Sequence, residues 1–148
     1  KTNKMRKFLT LLTLIVVAIG ISSCSSDDKP ETGLSAKIDG VSKKFINVTV
    51  TEEEYDEYSD YIVTAIQSDD PSKSIQISLG KDFIGTESIY YIQYFDGENY
   101  YQLSSPDIVS NVTESSNTKV KATFSGILVS DVGMGNVAVT DGTIDVKP

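Results

Sequence analysis

Between Leu34 and Val146 the apolar residues recur at every second position in short runs, separated by breaks that contain glycine, aspartate or proline. That period belongs to a β-strand, whose successive side chains point to opposite faces. A helix would need apolar residues three and four apart over several turns, and no stretch of this region has them. Ser74-Ile75-Gln76-Ile77-Ser78-Leu79 is the cleanest case. Ile75, Ile77 and Leu79 share one face and the polar residues the other, as in an antiparallel strand with one side in a core.

The other strands follow from the same pattern. Ser35 to Ile38 leads into Asp39-Gly40, and Ser88 to Phe95 and Glu98 to Leu103 flank Asp96-Gly97. Both pairs are hairpin turns, because their residues tolerate positive φ. Phe45 to Val50 and Tyr61 to Ile66 are rich in β-branched residues, and Lys119 to Leu128 alternates. Val137 and Val139 occupy odd positions whereas Ile144 and Val146 occupy even ones. A flat strand cannot change phase and keep one face buried, so a bulge or tight turn is expected at Asp141-Gly142. Strands at such short spacing predict an all-β, antiparallel β-sandwich of about 8–10 short strands, with an up-and-down, lipocalin-like barrel as the alternative. The expected core is Ile38, Phe45, Val48, Ile62, Ile66, Ile75, Ile77, Leu79, Ile92, Val120, Phe124, Leu128, Val139, Ile144 and Val146.

The chain ahead of this region has a different character. Lys1, Lys4, Arg6 and Lys7 precede an apolar run from Phe8 to Ile21, and Ser22-Ser23-Cys24 follows. A basic start, a short apolar stretch and small residues form a secretory signal peptide. The run has 14 residues, short of the roughly 20 that span a bilayer. Ile21-Ser22-Ser23-Cys24 resembles a bacterial lipobox. The resemblance implies cleavage before Cys24 and acyl chains on Cys24, which hold stably to a membrane when two or more are present. Ser25-Ser26-Asp27-Asp28-Lys29-Pro30-Glu31 is too polar to pack and reads as a tether. It resembles the acidic export tract of Bacteroidota surface lipoproteins, which implies an outer-membrane, cell-surface location. The expected organisation is a signal peptide at 1–23, cleaved as a signal helix, a flexible acidic tether at 24–33 and one β domain at 34–148. That domain resembles a domain-of-unknown-function family of Bacteroidota lipoproteins through Ile38-Asp39-Gly40, Ala122-Thr123-Phe124-Ser125-Gly126 and Val139-Thr140-Asp141-Gly142-Thr143-Ile144. These are turn and core features, so the resemblance implies fold and supplies no catalytic residues.

Charge and residue inventory narrow the function. Beyond position 7 the chain holds nine basic and 21 acidic residues, a net of −12. That excess argues against nucleic acid, since neutralising phosphates takes lysine and arginine, and against docking on anionic lipid by charge. There is no histidine, and the lone cysteine is read as lipidated, so a Ser-His or Cys-His nucleophile is excluded. No phosphate-cradling glycine-rich loop is present. Six carboxylates lie between Thr51 and Asp60, but their spacing is not that of an EF-hand loop, and a solvated loop is expected there without metal. No cofactor is expected. The remaining feature is tyrosine. Tyr91, Tyr94, Tyr100 and Tyr101 lie on two strands joined by a hairpin, where exposed rings could stack on and hydrogen-bond a glycan or an envelope protein. Core packing of the same rings is the competing expectation. The sequence therefore predicts a lipid-anchored, non-catalytic binding domain. The alternatives are a structural accessory subunit of an outer-membrane complex, and a carrier of a small apolar ligand.

Overall fold

The computed structural model describes residues 33–148; the signal peptide, Cys24 and nearly all of the tether lie outside the described residues. Nine antiparallel strands follow one another: β1 (Gly33–Ile38), β2 (Val41–Glu54), β3 (Ser59–Gln67), β4 (Asp70–Gly80), β5 (Ile89–Phe95), β6 (Tyr100–Ser104), β7 (Val109–Ser116), β8 (Lys119–Ser130) and β9 (Asn136–Val146). Each pairs with its chain neighbour except at β6–β7, and β1 also pairs with β9 while β6 also pairs with β8. Those two pairings close the sheet into a ring of eight staves, with β7 as an extra strand.

The all-β, antiparallel reading is correct, and of its two forms the barrel is the one present. The sandwich is corrected because hydrogen bonding runs unbroken around the ring, with no gap at which two sheets could part. Alternation alone could not decide this, since both architectures put every second residue inside.

β7 is absent from the sequence reading. Its Ser-Asn-Val-Thr-Glu-Ser-Ser run buries little apolar surface, with Val112 its one inward apolar residue. β6 and β7 lie one after the other along the same edge of β8. Tyr101 and Gln102 pair with Ser130 and Val129, and Val109 to Ser116 pair with Ser125 back to Lys119. Gly126 sits where β8 changes partner, and the Leu103 side chain packs directly onto it.

The inward positions interlock across the ring. Val50, Val63, Ile77, Ile92 and Leu103 are successive cross-strand partners, as are Ala65, Ile75, Tyr94 and Tyr101. With Val120, Phe124, Leu128, Val139 and Ile144 the buried ones form one core cluster, against which the partly buried Val50 and Leu103 pack. An eight-strand barrel is about wide enough for side chains to fill it.

Two bulges keep this filling in phase. At Asp141 (φ 50°) β9 bulges, so that Val137 and Val139 point inward before it and Gly142 and Ile144 after it. The expected bulge at Asp141-Gly142 is thus present. Gly142 leaves room for the Phe124 ring, which stands 2.6 Å from where a Cβ would be. At Asn47 (φ 53°) β2 does the same, turning Phe45 inward before the bulge and Val48 and Val50 inward after it.

Two expected core residues are corrected. Ile62 and Ile66 face outward and are only partly buried, while Tyr61, Val63, Ala65 and Gln67 fill the interior. Both faces of β3 are apolar, so its own pattern does not choose. Its partner does: Leu79, Ile77 and Ile75 of β4 stand opposite Tyr61, Val63 and Ala65. Direct partners share a face. Val48 and Val146 are partly buried at the core's edge.

Tyr94 reports on the interior. Its hydroxyl donates to Gln67 Oε1 at 3.0 Å, and burial pushes its pKa from 10.0 to about 12. The unfolded chain therefore releases this proton first as pH rises. The stabilisation is complete below about pH 10 and is lost toward pH 12. The urea midpoint should fall between about pH 8 and about pH 11, and Tyr94→Phe should flatten that fall. Equal slopes for both proteins would contradict the assignment.

Candidate functional site

The hairpin that carries the tyrosines is longer than its Asp-Gly pair suggests. Asp96 to Asn99 form a four-residue loop in which Asp96 Oδ1 accepts from the backbone N–H groups of Glu98 and Asn99, at 2.8 and 2.7 Å. Phe95 therefore faces Tyr100, Tyr94 faces Tyr101, and Gln93 faces Gln102.

This register divides the four candidate tyrosines. Tyr94 and Tyr101 point into the barrel and are 3% and 7% exposed, so they are core residues and are withdrawn as candidate binding residues. Tyr91 and Tyr100 point outward and stay. Tyr90 falls in the bulge between Ser78 and Leu79 and does not share a face with Ile92 and Tyr94. Its hydroxyl donates to Asp60 Oδ2 at 2.7 Å. Burial, then that carboxylate, raises its pKa.

Tyr91 and Tyr100 lie on a wall formed by the outer face of β2 to β6. Three rows of direct cross-strand partners run over it. Thr49, Thr64, Gln76, Gln93 and Gln102 make the central row. On one side run Ile46, Ile66, Ser74, Phe95 and Tyr100; on the other run Thr51, Ile62, Ser78, Tyr91 and Ser104. None of these fifteen positions is charged, in a chain with 21 acidic residues. The opposite wall differs, carrying the Lys37–Asp141 pair at 2.8 Å and the Lys119–Asp145 pair at 3.1 Å.

The wall's polar groups are held in place but not used up. Gln93 Nε2 donates to the Tyr91 hydroxyl, which donates to Gln102 Oε1, both at 2.8 Å. Thr49 and Thr64 share a hydroxyl hydrogen bond at 2.7 Å. An amide has two N–H donors and an accepting oxygen, so Gln93 and Gln102 keep groups free for a ligand. The Gln76 amide has no protein partner among the described residues. Phe95 and Tyr100 pack ring against ring, their centroids 4.6 Å apart at 30°, and Tyr100 is 48% exposed. Partial burial raises the Tyr91 pKa, aided by the charge of Asp131. A depression of about 390 Å³ is lined by four members of the central row, Thr49, Thr64, Gln76 and Gln93, and by Asn47, Ile66, Phe95 and Tyr100 among others.

Two other depressions carry less recognition chemistry. One, near 590 Å³, lies at the β4–β5 loop among Phe83, Ile84, Glu87 and Tyr90. The other, near 610 Å³, lies on β7 to β9 and holds hydroxyls and Asp141 without an exposed ring. The acidic stretch of β2–β3 does not converge: Glu52 pairs with Lys81 at 2.6 Å, Glu53 accepts from Tyr55 at 2.9 Å, and Asp60 accepts from Tyr90. Among the described residues no group of three acidic, histidine or cysteine side chains is arranged to hold a metal ion.

The sequence reading missed the glutamine and threonine row. Each residue by itself is an ordinary outward strand position, and only the register lines them up. Comparison with protein-family models, curated proteins and solved structures gives no match to this chain.

Truncating the four tyrosines should separate wall from core. Tyr94→Ala and Tyr101→Ala should each cost about 3–5 kcal/mol, as core aromatic truncations do. Tyr91→Ala and Tyr100→Ala should each stay within about 1 kcal/mol. Urea denaturation of the four variants measures this, and equal losses at all four positions would remove the wall assignment.

Proposed function

We propose that this chain is a lipid-anchored lipoprotein of the bacterial outer membrane, displayed at the cell surface, whose non-catalytic β-barrel binds a neutral glycan on the wall of β2 to β6. One observation carries the reading: fifteen contiguous outward positions are free of charge on an otherwise strongly acidic chain, and they hold free amides beside the exposed ring of Tyr100 and the half-buried ring of Phe95. Aromatic faces and amide or hydroxyl groups are what an uncharged, hydroxyl-rich ligand needs, since rings cover its C–H faces and amides satisfy its hydroxyls. An acidic polymer would meet the field of the surrounding carboxylates.

The anchor reading rests on Ile21-Ser22-Ser23-Cys24 and the basic and apolar segments before it. Eight residues lie between Cys24 and Gly33, a reach of at most about 32 Å at full extension, so lipid on Cys24 would keep the barrel close to the membrane. The carrier alternative has no support in the interior, where the inward side chains pack into a single cluster. Pairing through strand edges has little to work with, because closure removes edges and leaves mainly the outer side of β7.

A protein partner is the second reading, favoured by the β8–β9 hairpin. Ile127, Val129, Val132 and Met134 are all more than half exposed, and Val129 adjoins the central row through Gln102.

Three experiments test these readings. The full chain in detergent, applied to an array of neutral and acidic polysaccharides, should bind neutral ones, and Tyr100→Ala should weaken binding about tenfold or more. Retention of a single envelope protein, lost in Val132→Ser with Met134→Ser, together with no glycan binding, would select the second reading. Labelled palmitate should be incorporated into the wild-type chain and not into Cys24→Ser; equal labelling would rule out the anchor.

A further inference from the structure

We infer that the ligand of the wall is a linear, repeating neutral polysaccharide that lies across the strands and is gripped along its length, not by an end. This rests on reading the wall as a neutral-glycan surface. The central row holds five hydrogen-bonding side chains that are successive direct partners on β2 to β6. Neighbouring strands are about 4.8 Å apart, so the row presents a polar group at that interval over about 19 Å. Three consecutive members, Gln76, Gln93 and Gln102, are the same residue, giving like groups at like spacing. A repeating chain matches that pattern, whereas a monosaccharide or a chain end would use one member and leave the rest idle.

The depression lies over the row: Thr49, Thr64, Gln76 and Gln93 line it together with Phe95 and Tyr100. The row continues past Gln102 to Val129, and the charge beside this end is that of Asp131, whose backbone N–H donates to the Tyr100 carbonyl. Nothing in this arrangement closes around a terminus. The free groups also have an order along the row. The rings and the Tyr91–Gln93–Gln102 hydrogen bonds stand over β5 and β6, the unpartnered Gln76 amide stands over β4, and the Thr64 and Thr49 hydroxyls follow on β3 and β2. Short ligands are therefore held at the β5–β6 end, and longer ones reach Gln76 and the threonines.

Titration calorimetry of the full chain in detergent, with size-defined series from disaccharide to hexasaccharide of cello-, xylo- and malto-oligosaccharides, tests this. In at least one series the affinity should rise about tenfold or more from disaccharide to tetrasaccharide and level off by hexasaccharide. Gln76→Ala should remove most of that gain, weakening the tetrasaccharide far more than the disaccharide, and Tyr100→Ala should weaken every length. Urea midpoints near wild type would show that both variants are folded. Affinity independent of length, or a Gln76→Ala loss equal at every length, would overturn the across-strand inference and leave a neutral-glycan site standing. Absence of binding in all three series would overturn the inference together with the reading on which it rests.

Discussion

Closure of the ring is the constraint on which the rest of this structure depends. Eight staves enclose a space about as wide as the side chains that fill it, and this chain fills it with rows such as Val50, Val63, Ile77 and Ile92. Once the axis is filled, recognition has to be sought outside, on faces that the core does not need. Closure also decides which strands have edges. β8 is shared end to end between β6 and β7, so the extra strand extends the wall instead of leaving a long free edge.

The bulges serve the same requirement. A strand long enough to run the height of a tilted barrel drifts out of register with the inner surface, and an extra residue restores it. In β2 the correction falls at Asn47, in β9 at Asp141, both with left-handed backbone. The bulge in β2 also brings Thr49 opposite Thr64 and so starts the central row. One device thus serves the inner packing and the outer surface together.

The distribution of charge is the second organising fact. Carboxylates gather at the barrel's ends, in the turns at Asp39, Asp69, Asp96 and Asp131 and in the stretch from Glu52 to Asp60. The fifteen positions of the three rows on β2 to β6 have none. A surface kept neutral within a repelling field can receive an uncharged partner without desolvating ions, and burying a charge without a partner is costly. Amides and hydroxyls suit that role, since they stay hydrated when free and can exchange water for ligand hydroxyls.

The sequence by itself determined the strand class, most strand positions, the phase change at Asp141-Gly142 and the majority of the core. These depend on period and local turn chemistry, which are written along the chain. It also singled out the paired tyrosines. It could not say that Tyr94 and Tyr101 are core while Tyr91 and Tyr100 are surface, because a tyrosine suits either face of a strand. Nor could it orient β3, whose two faces are both apolar, or detect β7, which is held by partners more than by its own side chains. Only the tertiary structure chose barrel over sandwich, since closure is a matter of which strands meet. The same meeting of strands assembled the central row. Thr49 and Gln102 are 53 positions apart in the chain, and only hydrogen bonding across five strands makes them parts of one surface.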